Sequence, residues 1–145
     1  MRLNLSEESV INSKSALEIL FPNRKTRVAA KLLLDWMKEN KGRATKNSLN
    51  NFTKRLEGKE LLYNNTPFKY SRRNLYGTII KNLVRLGFLQ RNAPVWDDRL
   101  KRTLKVYQIQ IFDIPNKPPA IGFWRICYYM CRKWNEEFAY FKPEQ

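Results

Sequence analysis

The chain has 145 residues, 43% of them hydrophobic, and sets 28 basic residues against 13 acidic ones for a formal net charge of +15, with no histidine. That length fits one domain with a real core, about two-thirds of the unfolded chain's surface leaving water on folding. No apolar run reaches the ~18 residues of a membrane span, and without histidine Cys127 and Cys131 would need two further ligands of other kinds to hold zinc.

The start, Met1-Arg-Leu-Asn-Leu-Ser-Glu-Glu, lacks a signal-peptide apolar core, so a reduced cytoplasmic protein is expected, nucleoid-associated or nuclear according to its host. Ser13–Phe21 predicts a short helix with Ser13 as N-cap and Leu17, Leu20 and Phe21 on its apolar side, ended by Pro22-Asn23. Thr26–Asn40 predicts a strong helix. Val28, Leu32 and Trp36 recur at helical spacing with Ala29 and Leu33, Thr26 can cap, and Gly42 can take the left-handed conformation that stops it. Thr45 or Asn47 starts a second helix, with Leu49, Phe52 and Leu56 on one face and Gly58 at its end. Lys59–Tyr70 contains Asn64-Asn65-Thr66-Pro67, a turn signal.

Ser71–Leu86 predicts a third helix with Leu75, Ile79, Leu83 and Leu86 in one stripe. At about 100° per residue the opposite side carries Arg73, Asn74, Gly77 and Lys81, flanked by Tyr76, Ile80 and Arg85. Gly87 ends it. A β-hairpin follows, with strands at Phe88–Arg91 and Thr103–Ile109 and a charged tip at Asn92–Arg102. Pro115, Pro118 and Pro119 form a stiff linker to a last helix, roughly Ala120–Phe141, in which Trp124, Tyr128, Cys131, Trp134 and Phe138 share a broad stripe. That stripe reads as core or as a dimer interface. Cys127 and Cys131 read as small core residues.

The order helix, helix, basic helix, two-stranded hairpin, with Asn82-Leu-Val-Arg-Leu-Gly-Phe-Leu-Gln-Arg91 followed by Lys105-Val-Tyr-Gln-Ile109, resembles the winged helix-turn-helix superfamily over about residues 26–111. The connection before Ser71 is longer than the usual three or four residues. The expected fold is mainly α with a small β-hairpin: a winged helix-turn-helix core over 24–111, a helical extension over 1–23, and a linker with a C-terminal helix over 112–145. The resemblance implies double-stranded DNA as partner, the third helix in the major groove and the wing near the backbone.

The charge distribution agrees with that implication. Residues 24–111 hold 21 basic and six acidic residues, a net +15, while 1–23 sum to −1 and 112–145 to +1. A compact basic block attracts polyanions and releases their counterions. Arg73 and Lys81 suit guanine or phosphate, Asn74 suits adenine, and Gly77 permits close approach. Arg99, Lys101 and Arg102 on the hairpin suit phosphate. Arg24, Lys25 and Arg27 crowd a helix start, where they oppose its dipole and an external anion would compensate.

Each assignment has a plainer counterpart. Arg72 and Arg85 are equally readable as solvated surface, which is the preferred reading for Arg85. Asp97 and Asp98 can pair with Arg99 and Lys101 and dilute the wing. Trp96 is either folded back onto the domain or an exposed partner contact. Three functions compete. The first is a DNA-binding transcription regulator acting by occupancy of a promoter or operator, as a homodimer through Trp124, Tyr128, Trp134 and Phe138. The second is a protein-interaction module docking on a polymerase or replication assembly. The third is RNA binding, for which no recognised motif is present. Catalysis is not expected without histidine, a Gly-rich phosphate loop or a metal-ligand cluster, and no cofactor or membrane is implied.

Overall fold

A computed structural model describes residues 6–139. Residues 1–5 and Phe141, named above in the start of the chain and at the end of the last helix, lie outside the described residues. The elements run α1 (Glu7–Asn12), α2 (Ala16–Leu20), α3 (Arg24–Glu39), β1 (Arg43–Ala44), α4 (Lys46–Glu57), β2 (Leu61–Tyr63), β3 (Thr66–Phe68), α5 (Arg72–Asn74), a π-helical turn (Leu75–Ile80), α6 (Lys81–Leu86), β4 (Leu89–Asp97), β5 (Arg102–Ile109) and α7 (Gly122–Phe138). The chain is thus mixed α and β, with a three-stranded antiparallel sheet in the order β1-β5-β4 and a separate β2-β3 hairpin.

Several boundaries differ from the sequence expectation, each for a local reason. Ser13 does not open a helix; its hydroxyl donates to the Val10 carbonyl and closes α1, while Ser15 caps α2 through the Leu17 N–H. Thr26 is not the cap of α3. Asn23 is, accepting from the Thr26 N–H, so Arg24, Lys25 and Arg27 fall inside the first turn. Thr45 rather than Asn47 caps α4. Gly42 ends α3 with φ +73°, the conformation a residue without Cβ takes freely.

The Asn64-Asn65 signal marks a two-residue hairpin turn joining β2 to β3, with both residues at positive φ, as this turn type requires. β4 continues past Arg91 to Asp97, so the tip shrinks to four residues. Arg91 and Asn92 together oppose a single position of β5, a bulge with Asn92 at φ +59°. Such a bulge bends its strand and increases the local twist. Pro94 is accommodated because β4 is an edge strand.

One core unites the elements. α3 contributes Leu33, Leu34 and Met37, α4 Leu49, Phe52 and Leu56, and the α5–α6 helix Leu75, Ile79 and Leu83. Val10, Leu17, Leu20, Trp134 and Phe138 join the same cluster from the two ends of the described chain. Trp134 stacks between Phe88 and Phe138, at 4.5 and 4.6 Å, and its indole N–H donates to the Gln110 carbonyl. The Asn135 amide clamps the backbone of Phe112, accepting from its N–H and donating to its carbonyl, at 2.9 and 2.8 Å. These contacts hold α7 to the end of the sheet. They also correct the interface assignment of Tyr128, Trp134 and Phe138, which are buried within the chain and offer no surface to a second one.

Candidate nucleic-acid interface

The helix Arg72–Leu86 begins at Ser71, whose hydroxyl accepts from the Asn74 N–H, and ends at Gly87 with φ +86°. Its middle turn is π-helical: the Lys81 N–H donates to the Tyr76 carbonyl, five residues back. A π turn inserts one residue into the α ladder and sets every later side chain back by about 100°. The Asn82 amide donates to the Thr78 carbonyl at 2.6 Å and supplies a partner where the ladder changes register.

This turn decides which residues share a face. In an unbroken α-helix, residues four apart drift by about 40° per step, so Arg73, Gly77, Lys81 and Arg85 would wind around the helix. The extra residue takes up most of the drift. Leu75, Ile79 and Leu83 then align on the core, each fully buried, and Leu86 turns outward to 41% exposure, correcting its expected place in the stripe. On the opposite side Arg73, Gly77, Lys81 and Arg85 form one exposed row. An open groove runs along it, lined also by Tyr76, Val84 and Arg91 of β4. Arg85 therefore sits in the row rather than on its flank, and Asn74 moves toward the side. Arg91 was invisible as a site residue because its place depends on the bulge.

A second groove adjoins the first across Tyr76. There Lys46 and Asn47, in the first turn of α4, face Arg72, Tyr76 and Tyr107. The Arg72 guanidinium lies over the Tyr76 ring at 5.6 Å. Burial pushes the Tyr76 hydroxyl above its ordinary pKa, with Arg72 opposing and Tyr107 reinforcing. It stays neutral at physiological pH and can donate to an anion.

Among the described residues the cations of this region form no ion pair; Glu57, a carboxylate beside them, accepts from the Arg72 backbone N–H. Ion pairs among the described residues join Lys31 to Asp35 and Glu137, Arg125 to Glu7, and Arg132 to Glu136. None involves a cation between Arg43 and Lys105. At the hairpin tip the Asp97 carboxylate accepts from the backbone N–H groups of Arg99 and Leu100, an Asx turn that shapes the tip. Asp98 accepts from the Trp96 indole. Neither carboxylate pairs with the Arg99, Lys101 or Arg102 side chains, which remain exposed. Trp96 is 58% exposed and lines an open groove with Asn40, Arg43, Thr45 and Ser48, so it is partly turned to the body and partly in water.

Arg24, Lys25 and Arg27 lie elsewhere. Arg24 stacks on Tyr63, and Arg27 donates to the Phe21 and Pro22 carbonyls at 3.3 and 3.1 Å. Arg27 thus has an anchor within the chain itself, where the sequence pointed only to an external anion. Arg24 and Arg27 line a groove with Glu18 and Glu137 that shares no residue with the helix row. No family model, curated protein or solved structure matches the chain. No helix among the described residues is long and apolar enough to cross a membrane.

Proposed function

We propose that the chain binds double-stranded DNA as a winged-helix protein and acts by occupying a promoter or operator. The observation that carries this is the exposed row of Arg73, Lys81 and Arg85, with Gly77 between them and Arg91 beside them, none with a carboxylate partner among the described residues. Guanidinium and ammonium groups in a row along one helix fit guanine acceptors and successive phosphates. Gly77 leaves the helix backbone open to close approach. The element order supports the same reading. Three helices (α3, α4 and α5–α6) precede the β4-β5 hairpin, and β1, between the first two, pairs with β5 to complete the sheet. That is the order expected of a winged helix. The unpaired cations of the tip extend the basic surface beyond the helix. The test is duplex binding by wild type, Arg73→Ala and Lys81→Ala, with single-stranded DNA and RNA as competitors. Each substitution is expected to weaken duplex binding by about 1–3 kcal/mol. Unchanged affinity in both variants, or stronger binding to RNA than to duplex, contradicts the proposal.

A further inference from the structure

We propose that the exposed apolar end of α7 is where a second copy of this chain docks. Ile121, Phe123 and Trp124, at the N-cap and first turn of α7, are 69%, 61% and 62% exposed. The two rings meet edge to face at 6.2 Å and form one convex knob. Phe123 is also the rim of an apolar groove of about 330 Å³ whose walls include Leu20, Leu86, Phe88, Phe112 and Ile126. The knob and the groove share Phe123, and in a two-fold dimer the same patch of each copy meets the other, so each copy's ring pair is offered to the partner's groove.

Area and charge argue for this occupant. Aromatic side chains of this kind present 150–250 Å² each, so two at about 60% exposure, with Ile121 and Leu86, leave roughly 400–500 Å² of apolar surface in water. That matches the largest patches of monomers, which are often functional. It is about half of the ~800 Å² that each partner contributes to a stable interface, and the groove walls and rim supply more. The chain carries a net +15, yet the groove is lined by apolar and cysteine side chains with no charged one, and on α7 Arg125 is held by Glu7 and Arg132 by Glu136, so two copies meeting there bring neither of these cations to the contact unpaired.

The test is sedimentation of the full chain over a concentration series without DNA, for wild type and Trp124→Glu. It is run beside hydroxyl-radical labelling of Phe123 and Trp124, read by peptide mass. Wild type is expected to approach twice its 17.4 kDa, with labelling of both rings falling as concentration rises. Trp124→Glu is expected to stay monomeric with an unchanged circular dichroism spectrum. If Trp124→Glu misfolds, the wild-type labelling series still decides. Wild type monomeric at every concentration overturns the proposal, and so does a dimer that persists in Trp124→Glu. Rings protected in a monomer also overturn it, because another segment of the same chain then covers the patch. DNA is absent throughout, so failure here leaves the duplex reading intact, and failure of duplex binding leaves the dimer intact.

Discussion

Gly77 is the residue at which the proposed DNA binding and ordinary helix chemistry predict opposite effects. A Cβ added there meets nothing within 4 Å, and alanine favours a helix interior over glycine by about 0.5–1 kcal/mol. Gly77→Ala is therefore expected to raise the melting temperature. On a face pressed against a duplex the same methyl intrudes, so duplex affinity is expected to fall as stability rises. A variant both more stable and equally tight would remove Gly77 from the interface. Arg27→Ala makes the opposite pair. Its guanidinium bonds two backbone carbonyls, so a loss of about 1 kcal/mol is expected in chemical denaturation, with duplex affinity little changed. The basic residue types of the site were legible in the sequence. Their partners were not. Nothing in the spacing of Arg27 or Asp97 says that each bonds backbone rather than an opposite charge.

At the scale of elements, α3, α4 and the α5–α6 helix were legible because each pairs a buried stripe with a polar face over three turns or more. α1 has six residues and buries only Val10, and β1 has two, too few for periodicity to show. The π turn changes no residue type, so the wheel that placed Arg73, Gly77 and Lys81 on one exposed side put Leu86 inside and Arg85 to the side. The aromatic stripe of α7 was legible as apolar, but its division was not. Trp134 and Phe138 are core, whereas Trp124 faces water, because α7 extends past the body it packs on. Trp134→Ala is expected to destabilise the fold by about 3–5 kcal/mol. Asn135→Ala, which frees both polar groups of a half-buried Phe112 backbone, is expected to cost about 1–3 kcal/mol. Denaturant titration checks both, and an Asn135→Ala midpoint equal to wild type would show that the clamp does not hold α7.

For the whole molecule, the net charge, its concentration in residues 24–111 and, among the described residues, the absence of ion pairs for the cations between Arg43 and Lys105 describe one electrostatic object. On the proposed reading its affinity for duplex DNA is set by counterion release. The most direct test of the central claim is the salt dependence of duplex binding for wild type and for Arg73→Ala/Lys81→Ala/Arg85→Ala. Each phosphate contact contributes about 0.9 to the slope of log K against log salt. Wild-type binding is expected to fall steeply with salt, and the triple variant to bind more weakly with a slope shallower by roughly 2–3. A wild type that does not bind duplex DNA at low salt, or a triple variant with the wild-type affinity and slope, would contradict a DNA-binding face on this helix.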